Sequence, residues 1–224
     1  MLCRRMAALS SAVPILPVFA IQRHRLTTDG NGVTTLVGAY GCPLTCRYCI
    51  NPHAWDPKTL EKCISLTPKE LYERVKIDDL YFLATGGGVT FGGGEALLHS
   101  EFINAFRQIC GPDWTLSVET SLNVPTRRLE RVLDTVDDYI VDIKDLDPLI
   151  YESYTGMPID RVLTNLEFLS DRLSASSESG RPNHVRIRVP LIPNYNIPEH
   201  LEKSVHKLRS MGFSDIETFS YIVR

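Results

Sequence analysis

The sequence predicts a single α/β domain on a six-stranded parallel sheet, and three observations carry that expectation. Short apolar, β-branched runs recur along the chain. Stretches with helix-start chemistry lie between them, the alternation that parallel sheets require. The residues with the most distinctive chemistry then fall where these runs end, as ligand-binding residues do in such folds. By strand pattern alone the six units form either an open doubly wound sheet or most of a barrel.

The elements follow in order. TTLVGAY (Thr34–Tyr40) reads as the first strand and runs straight into Cys42. Thr67 caps a helix that Pro68 opens and LYERV continues, since proline is tolerated at the first helical position. GVTFGGG (Gly88–Gly94) is the second strand, Leu98 to Ile109 a helix, and TLSVETS (Thr115–Ser121) the third strand. Pro125 opens a helix to about Leu133, and DYIVDIK (Asp138–Lys144) is the fourth strand, a near-continuous apolar run. A helix is expected from Asp160 to about Leu173, then a polar loop, SASSESGRPN. HVRIRVPLI (His184–Ile192), a helix over Pro198–Met211 and IETFSYIV (Ile216–Val223) complete the set. Strands this apolar are expected to be covered on both faces.

The chain of 224 residues carries 24 basic and 27 acidic side chains, a net charge of −3 without a block of one sign. Such a balance gives no reason to expect nucleic acid or an anionic membrane as partner. Beyond the N-terminal segment no apolar run approaches the length of a membrane span. That segment, MLCRRMAALSSAVPILPVFA, has two arginines, an apolar run and a possible cleavage site at Val18–Ala20. Pro14 and Pro17 interrupt the run, and export would carry clustered thiols into an oxidising space. Residues 1–20 are therefore expected to be a loosely ordered extension, residues 21–224 the core domain, and the protein cytoplasmic.

Of the six cysteines, Cys42, Cys46 and Cys49 stand within GCPLTCRYCINP, and Cys3, Cys63 and Cys110 are scattered. This is no disulfide framework; it is a metal site plus incidental thiols. Zinc usually takes four ligands from paired motifs. His53 would make an unusually compact fourth ligand, Cys63 would reach across an intervening segment, and ferredoxin-type clusters take four cysteines. GGGVTFGGGEALL sets two glycine triplets around a strand, where backbone can approach a ligand closely. No GK[ST] follows, so a phosphate loop is a weak rival. Glu119 and Lys144 could each be a solvated strand-end charge, but Asp142 and Lys144 share one strand face by the period of two. Charges inside apolar strands need partners, either each other or a zwitterionic ligand.

CPLTCRYC resembles the CxxxCxΦC motif of the radical S-adenosylmethionine (radical SAM) enzymes, with Tyr48 as the aromatic residue. The resemblance implies a partial (β/α)6 barrel of the TIM type. It implies that three thiolates hold one [4Fe-4S] cluster with one iron open to S-adenosylmethionine, and no auxiliary cluster. Gly93-Gly94-Glu95 resembles the motif that holds the amino group of that cofactor. TDGNG (Thr28–Gly32), CINP, VTFGGGE, ETS, DIKDLDPLIYESYTG and RIRVPLIPNYN, in order over residues 21–224, are similar to the glycyl-radical-enzyme activating enzymes. That narrower resemblance implies reductive cleavage of S-adenosylmethionine to a 5′-deoxyadenosyl radical, which takes hydrogen from a glycine of a partner enzyme. The implied reductant is a flavodoxin or ferredoxin. Glu119 and Asp142 fall at acidic positions near the cofactor carboxylate and a monovalent cation, and Lys144 and Arg188 at basic cofactor-contacting positions. Asp29 falls near the incoming peptide. Ala96 departs from the usual proline, Thr34 or Thr35 from a frequent arginine, and Ile222 from a histidine. A small-molecule or peptide substrate, or a non-catalytic metal-binding module, are the alternatives.

Overall fold

A computed structural model of the chain describes residues 12–26, 28–176 and 184–222. Eight strands form one sheet in the order β3-β1-β2-β4-β5-β6-β7-β8. β1 is Leu16–Leu26, β2 Val33–Ala39, β3 Ile64–Leu66, β4 Gly88–Gly93, β5 Thr115–Thr120, β6 Asp138–Asp142, β7 His184–Leu191 and β8 Asp215–Ser220. From β2 through β8, skipping β3, every neighbouring pair is parallel. These are the six strands expected. The helices between them are α1 (Pro57–Leu60), α2 (Pro68–Val75), α3 (Asp79–Thr85), α4 (Ser100–Cys110), α5 (Thr126–Glu130), α6 (Pro148–Thr155), α7 (Asp160–Ser176) and α8 (Pro198–Ser210).

Local chemistry sets several of these starts. At α2 the Thr67 hydroxyl accepts from the Glu70 amide at 3.2 Å while Glu70 accepts from the Thr67 amide at 2.8 Å, a reciprocal capping box. Asp147 caps α6 by accepting from Leu149 and Ile150. Two expected helices differ in extent: α5 ends at Glu130, and α7 continues three residues into the stretch expected as a loop. The remainder of that stretch, 177–183, lies outside the described residues.

The expected N-terminal extension over residues 1–20 is overturned from Leu16 onward. β1 crosses residue 20 and pairs antiparallel with both β2 and β3. The prolines that argued against an ordered element stand before and at the second residue of the strand, where a missing N–H costs little. The Pro17 carbonyl still accepts from Tyr40 at 2.9 Å. Leu16 and Val18 join the core. Residues 1–11 lie outside the described residues.

Apolar side chains of the strands, among them Val37, Phe91, Val118, Tyr139, Val141 and Ile187, pack outward against Phe82, Phe102, Phe106, Leu129, Leu166 and Leu208 of the helices. Phe91 and Phe106 meet edge-to-face at 5.6 Å. The other face differs from the expected apolar covering. Period-two alternation turns Thr34, Thr90, Ser117, Glu119, Asp138, Asp142 and Arg188 to the opposite side of the sheet. Residues 28–32 fill the lower part of that space. The Asp29 carbonyl accepts from the Thr90 hydroxyl, and the Thr28 carbonyl from Arg188. A Cβ on Gly30 would stand 3.0 Å from the Ser117 hydroxyl. Paired charge, rather than a second apolar layer, lines this lumen.

Candidate active site

The loop after β2 carries the three cysteines and is fastened along its length. The Gly41 amide donates to Ala54 at 2.7 Å, and the Gly41 carbonyl accepts from the Glu95 amide at 2.8 Å. Just upstream, the Tyr40 carbonyl lies 2.8 Å from Nε2 of His99. Burial lowers the His99 pKa, so the neutral ring donates this bond. The middle of the loop pairs with the end of α6: Thr45 donates to the Thr155 carbonyl at 3.0 Å and Arg47 to the Tyr154 carbonyl at 3.1 Å. Gly156, at φ +75°, comes so close that a Cβ would meet the Thr45 hydroxyl at 2.7 Å. Leu44 is buried beneath. Cys49 donates back to Cys46 at 3.2 Å, turning the loop toward the third thiol.

The three thiols are half-buried and free of disulfides. Burial pushes the Cys42 thiol up to about 12, and Glu95, Cys46 and Cys49 add to the shift. Cys46 is raised by burial as well, while Lys144 acts against the rise. Cys63 feels burial alone, with no neighbouring thiol, and His53 is exposed. Neither joins the triad. No three His, Cys, Asp or Glu side chains among the described residues converge closely enough for one metal ion. A single zinc would draw thiolates to roughly 3.8 Å of one another, given Zn–S bonds of about 2.3 Å. Three free thiols on one loop are the donor type that iron–sulfur clusters take.

Below the loop stand the charges expected from the strand ends, and the structure brings them together. Lys144 Nζ lies 3.7 Å from Asp142, and Arg188 lies 3.4 Å from Glu119. Burial works against the Lys144 ammonium, but Asp142, Cys46, Tyr221 and Cys49 raise its pKa overall, so it stays charged. Glu119 is pushed up to about 7 by burial, then by Asp142 and Asp29, with Arg188 opposing. A carboxyl with a raised pKa in the folded state stabilises the fold most below its unfolded value. That stability is lost as pH rises from about 4.5 to about 7. Urea unfolding of the metal-free chain is expected to weaken over this window by on the order of 2 kcal/mol. Glu119→Gln is expected to flatten the dependence; an unchanged slope counts against the assignment.

The glycine-rich stretch does something the sequence did not indicate. Gly93, at φ +81°, and Gly94 are required by their own chain: a Cβ would meet the Phe19 ring at 2.7 Å and the Gly41 carbonyl at 2.3 Å, respectively. The Gly94 amide donates to Ala39 at 3.1 Å. Glu95, expected to face an ammonium, is buried and accepts four hydrogen bonds from the protein. Oε1 takes the Leu97 amide at 3.1 Å and the Thr120 hydroxyl at 2.6 Å. Oε2 takes the Ser121 amide at 2.9 Å and hydroxyl at 2.7 Å. This carboxylate ties the end of β4 to the end of β5. Asp29 likewise is buried and held by Arg25.

Sequence reasoning missed His99, Tyr154, Tyr195, Asn196 and Tyr221. Asn196 donates to Asp145 at 3.0 Å and to the Pro190 carbonyl at 3.1 Å, folding the turn after β7. Tyr154 and Tyr195 stand in YESYTG and PNYN, and tyrosines just past two strand ends in a chain with a clustered-cysteine motif were the available signal.

A parallel α/β sheet with a thiol loop at its C-terminal edge and a charged lumen beneath defines a metallocofactor enzyme of the partial-barrel class. The signature of the Radical SAM superfamily matches residues 36–208, and the chain belongs to that family. The family's members hold a [4Fe-4S] cluster and use S-adenosylmethionine. The chain is 29% identical to the (2S)-3-sulfopropanediol dehydratase activating enzyme of Klebsiella oxytoca, over 80% of this chain and 72% of that one. It is 29% identical to the pyruvate formate-lyase 2-activating enzyme of Escherichia coli, over 91% and 76%. Streptococcus suis SuiB, solved bound to S-adenosylmethionine, shares the fold with a TM-score of 0.56 at 12% identity, over 82% of this chain and 37% of SuiB.

Proposed function

We propose that this enzyme activates a glycyl radical enzyme. In this reading Cys42, Cys46 and Cys49 would hold one [4Fe-4S] cluster, with S-adenosylmethionine bound beside it. The observation that carries it is the meeting, at one sheet edge, of three half-buried thiols with Lys144 facing Cys46 and a carboxylate–guanidinium pair beneath. When bound, that cluster would supply the electron for reductive cleavage of S-adenosylmethionine to methionine and a 5′-deoxyadenosyl radical.

The chain's own residues bind, orient and exclude water. Lys144 and Arg188 are assigned to the cofactor carboxylate. Asp142 and Glu119 balance them and offer oxygens to an ammonium or a monovalent cation. Gly93 and Gly94 set the backbone near the amino group, with Glu95 holding that turn in place. Tyr48, beside the third thiol in the chain, is assigned to the cofactor. Asp29 is assigned to the lumen floor, toward an incoming peptide segment. The relatives named above act on a dehydratase and a lyase by their names, which supports a protein substrate here. A flavodoxin or ferredoxin is the assigned reductant. No helix among the described residues is long and apolar enough to cross a membrane. We assign the protein to the cytoplasm, where thiols stay reduced.

Anaerobic incubation of the iron-loaded chain with S-adenosylmethionine, a reductant and a candidate glycyl radical enzyme tests this. A glycyl doublet by electron paramagnetic resonance, with one methionine released per radical, is expected. Cofactor cleavage without a glycyl signal from any candidate partner redirects the reading to a small-molecule or peptide substrate.

A further inference from the structure

We propose that Tyr221 is a positioning residue for the cysteine loop, the closing member of a tyrosine latch that joins the two ends of the open barrel. β2, which delivers Cys42, and β8, which delivers Tyr221, are separated in the sheet by β4, β5, β6 and β7. No strand pairing among the described residues joins them. The Tyr221 hydroxyl nevertheless donates to the carbonyl of Tyr48, between Cys46 and Cys49. The two rings stack at 6.4 Å with an interplanar angle of 28°.

Two further tyrosines complete the cluster, each from a different part of the fold. Tyr154, from α6, and Tyr195, from the turn after β7, meet Tyr48 edge-on at 6.1 and 5.8 Å and each other at 5.0 Å. Asn194 donates to the Tyr48 hydroxyl at 3.3 Å.

The arrangement has a mechanical consequence. The start of the cysteine loop is held by β2, Ala54 and Glu95, and its middle by Thr155 and Tyr154. Its last part, where the third cysteine sits, is held by the Cys49–Cys46 turn and by what grips Tyr48. β8 in turn is an edge strand with four of its six residues exposed. One hydroxyl therefore ties the last part of the cysteine loop to the end of a strand that pairs on one side only. Fixing Tyr48 fixes the backbone between two thiols, which sets their spacing. The restraint stands on the contacts alone; its purpose rests on reading Cys42, Cys46 and Cys49 as cluster ligands.

Amide hydrogen exchange on the full chain, purified without metal, tests the restraint. Tyr221→Phe removes the hydrogen bond and keeps the ring; Tyr221→Ala removes both. A net hydrogen bond of ordinary size changes a local opening equilibrium by roughly fivefold. Peptides covering residues 42–50 are expected to exchange about fivefold faster in Tyr221→Phe and more than about tenfold faster in Tyr221→Ala. Peptides from β4, β5 and β6 should be unchanged, as should the loop in Phe219→Ala, which alters β8 without touching the latch. After anaerobic loading with iron and sulfide, iron transfer to a chelator should accelerate in the same order, with Tyr221→Phe as a partial rescue. Loop exchange within twofold of the parent in both Tyr221 variants overturns the proposal. So does acceleration of loop and central strands together, or an equal effect from Phe219→Ala. If the parent chain loads no iron while the exchange pattern holds, the latch stands and the cluster reading fails.

Discussion

Cys49→Ala is expected to abolish cofactor cleavage, and Cys42→Ala and Cys46→Ala to do the same. All three thiols belong to a loop held by backbone hydrogen bonds to Ala54, Thr155 and Tyr154 rather than by one another. The loop therefore folds without any single sulfur, and loss of one ligand is read as loss of the metal centre. Changes outside the immediate ligand shell of a metal commonly cost about 10- to 100-fold in affinity, so removal of one of three ligands should cost at least ~100-fold. After anaerobic reconstitution, iron bound per chain should fall well below four and methionine release to background. The far-ultraviolet circular dichroism should match the parent's. Cys63→Ala is the control: that thiol stands apart, shifted by burial alone, and iron loading should be unchanged. Full iron content with intact cleavage in any clustered-cysteine variant would falsify the assignment.

Glu95→Ala is expected to cost the most stability of any single change near the site. The side chain is buried and accepts from the Leu97 and Ser121 amides and from the Thr120 and Ser121 hydroxyls. Alanine leaves these donors without an acceptor where water has little access. Each stranded buried donor costs about 1–3 kcal/mol, reduced where a hydroxyl can turn elsewhere. A loss of about 4 kcal/mol is expected, near 12 °C in melting temperature for a domain of this size. Glu95→Gln should fall between, because an amide keeps one oxygen acceptor and turns an N–H toward donors. The pair separates two roles. A carboxylate acting chiefly on a bound cofactor would leave the melting temperature of the metal-free chain within about 3 °C of the parent in both variants.

Much of the site was legible because it is written locally. Cys42, Cys46 and Cys49 keep their spacing whatever surrounds them, and a strand that ends at Ala39 places them at the sheet edge. The period of a strand alone puts Asp142 and Lys144 on one face, and they stand 3.7 Å apart. Thr67, Pro68 and Glu70 mark a helix start through contacts three residues apart. β1 was missed for a local reason too: its prolines read as interruptions, and only pairing with β2 and β3 shows that they sit where the ladder tolerates them.

The sequence by itself determined the alternating strands and helices, the thiol loop, and which acids and bases stand at the strand ends, since each depends on neighbours a few residues away. Tertiary structure alone decided what those groups touch. Arg188 reaches the Thr28 carbonyl across 160 positions and Tyr221 the Tyr48 carbonyl across 173. It decided that Gly93 and Gly94 are small for the sake of Phe19 and Gly41, and that Glu95 serves its own backbone. Hydrogen bonds and ring contacts act over a few ångströms, so their partners are fixed only when the sheet curves distant strand ends together.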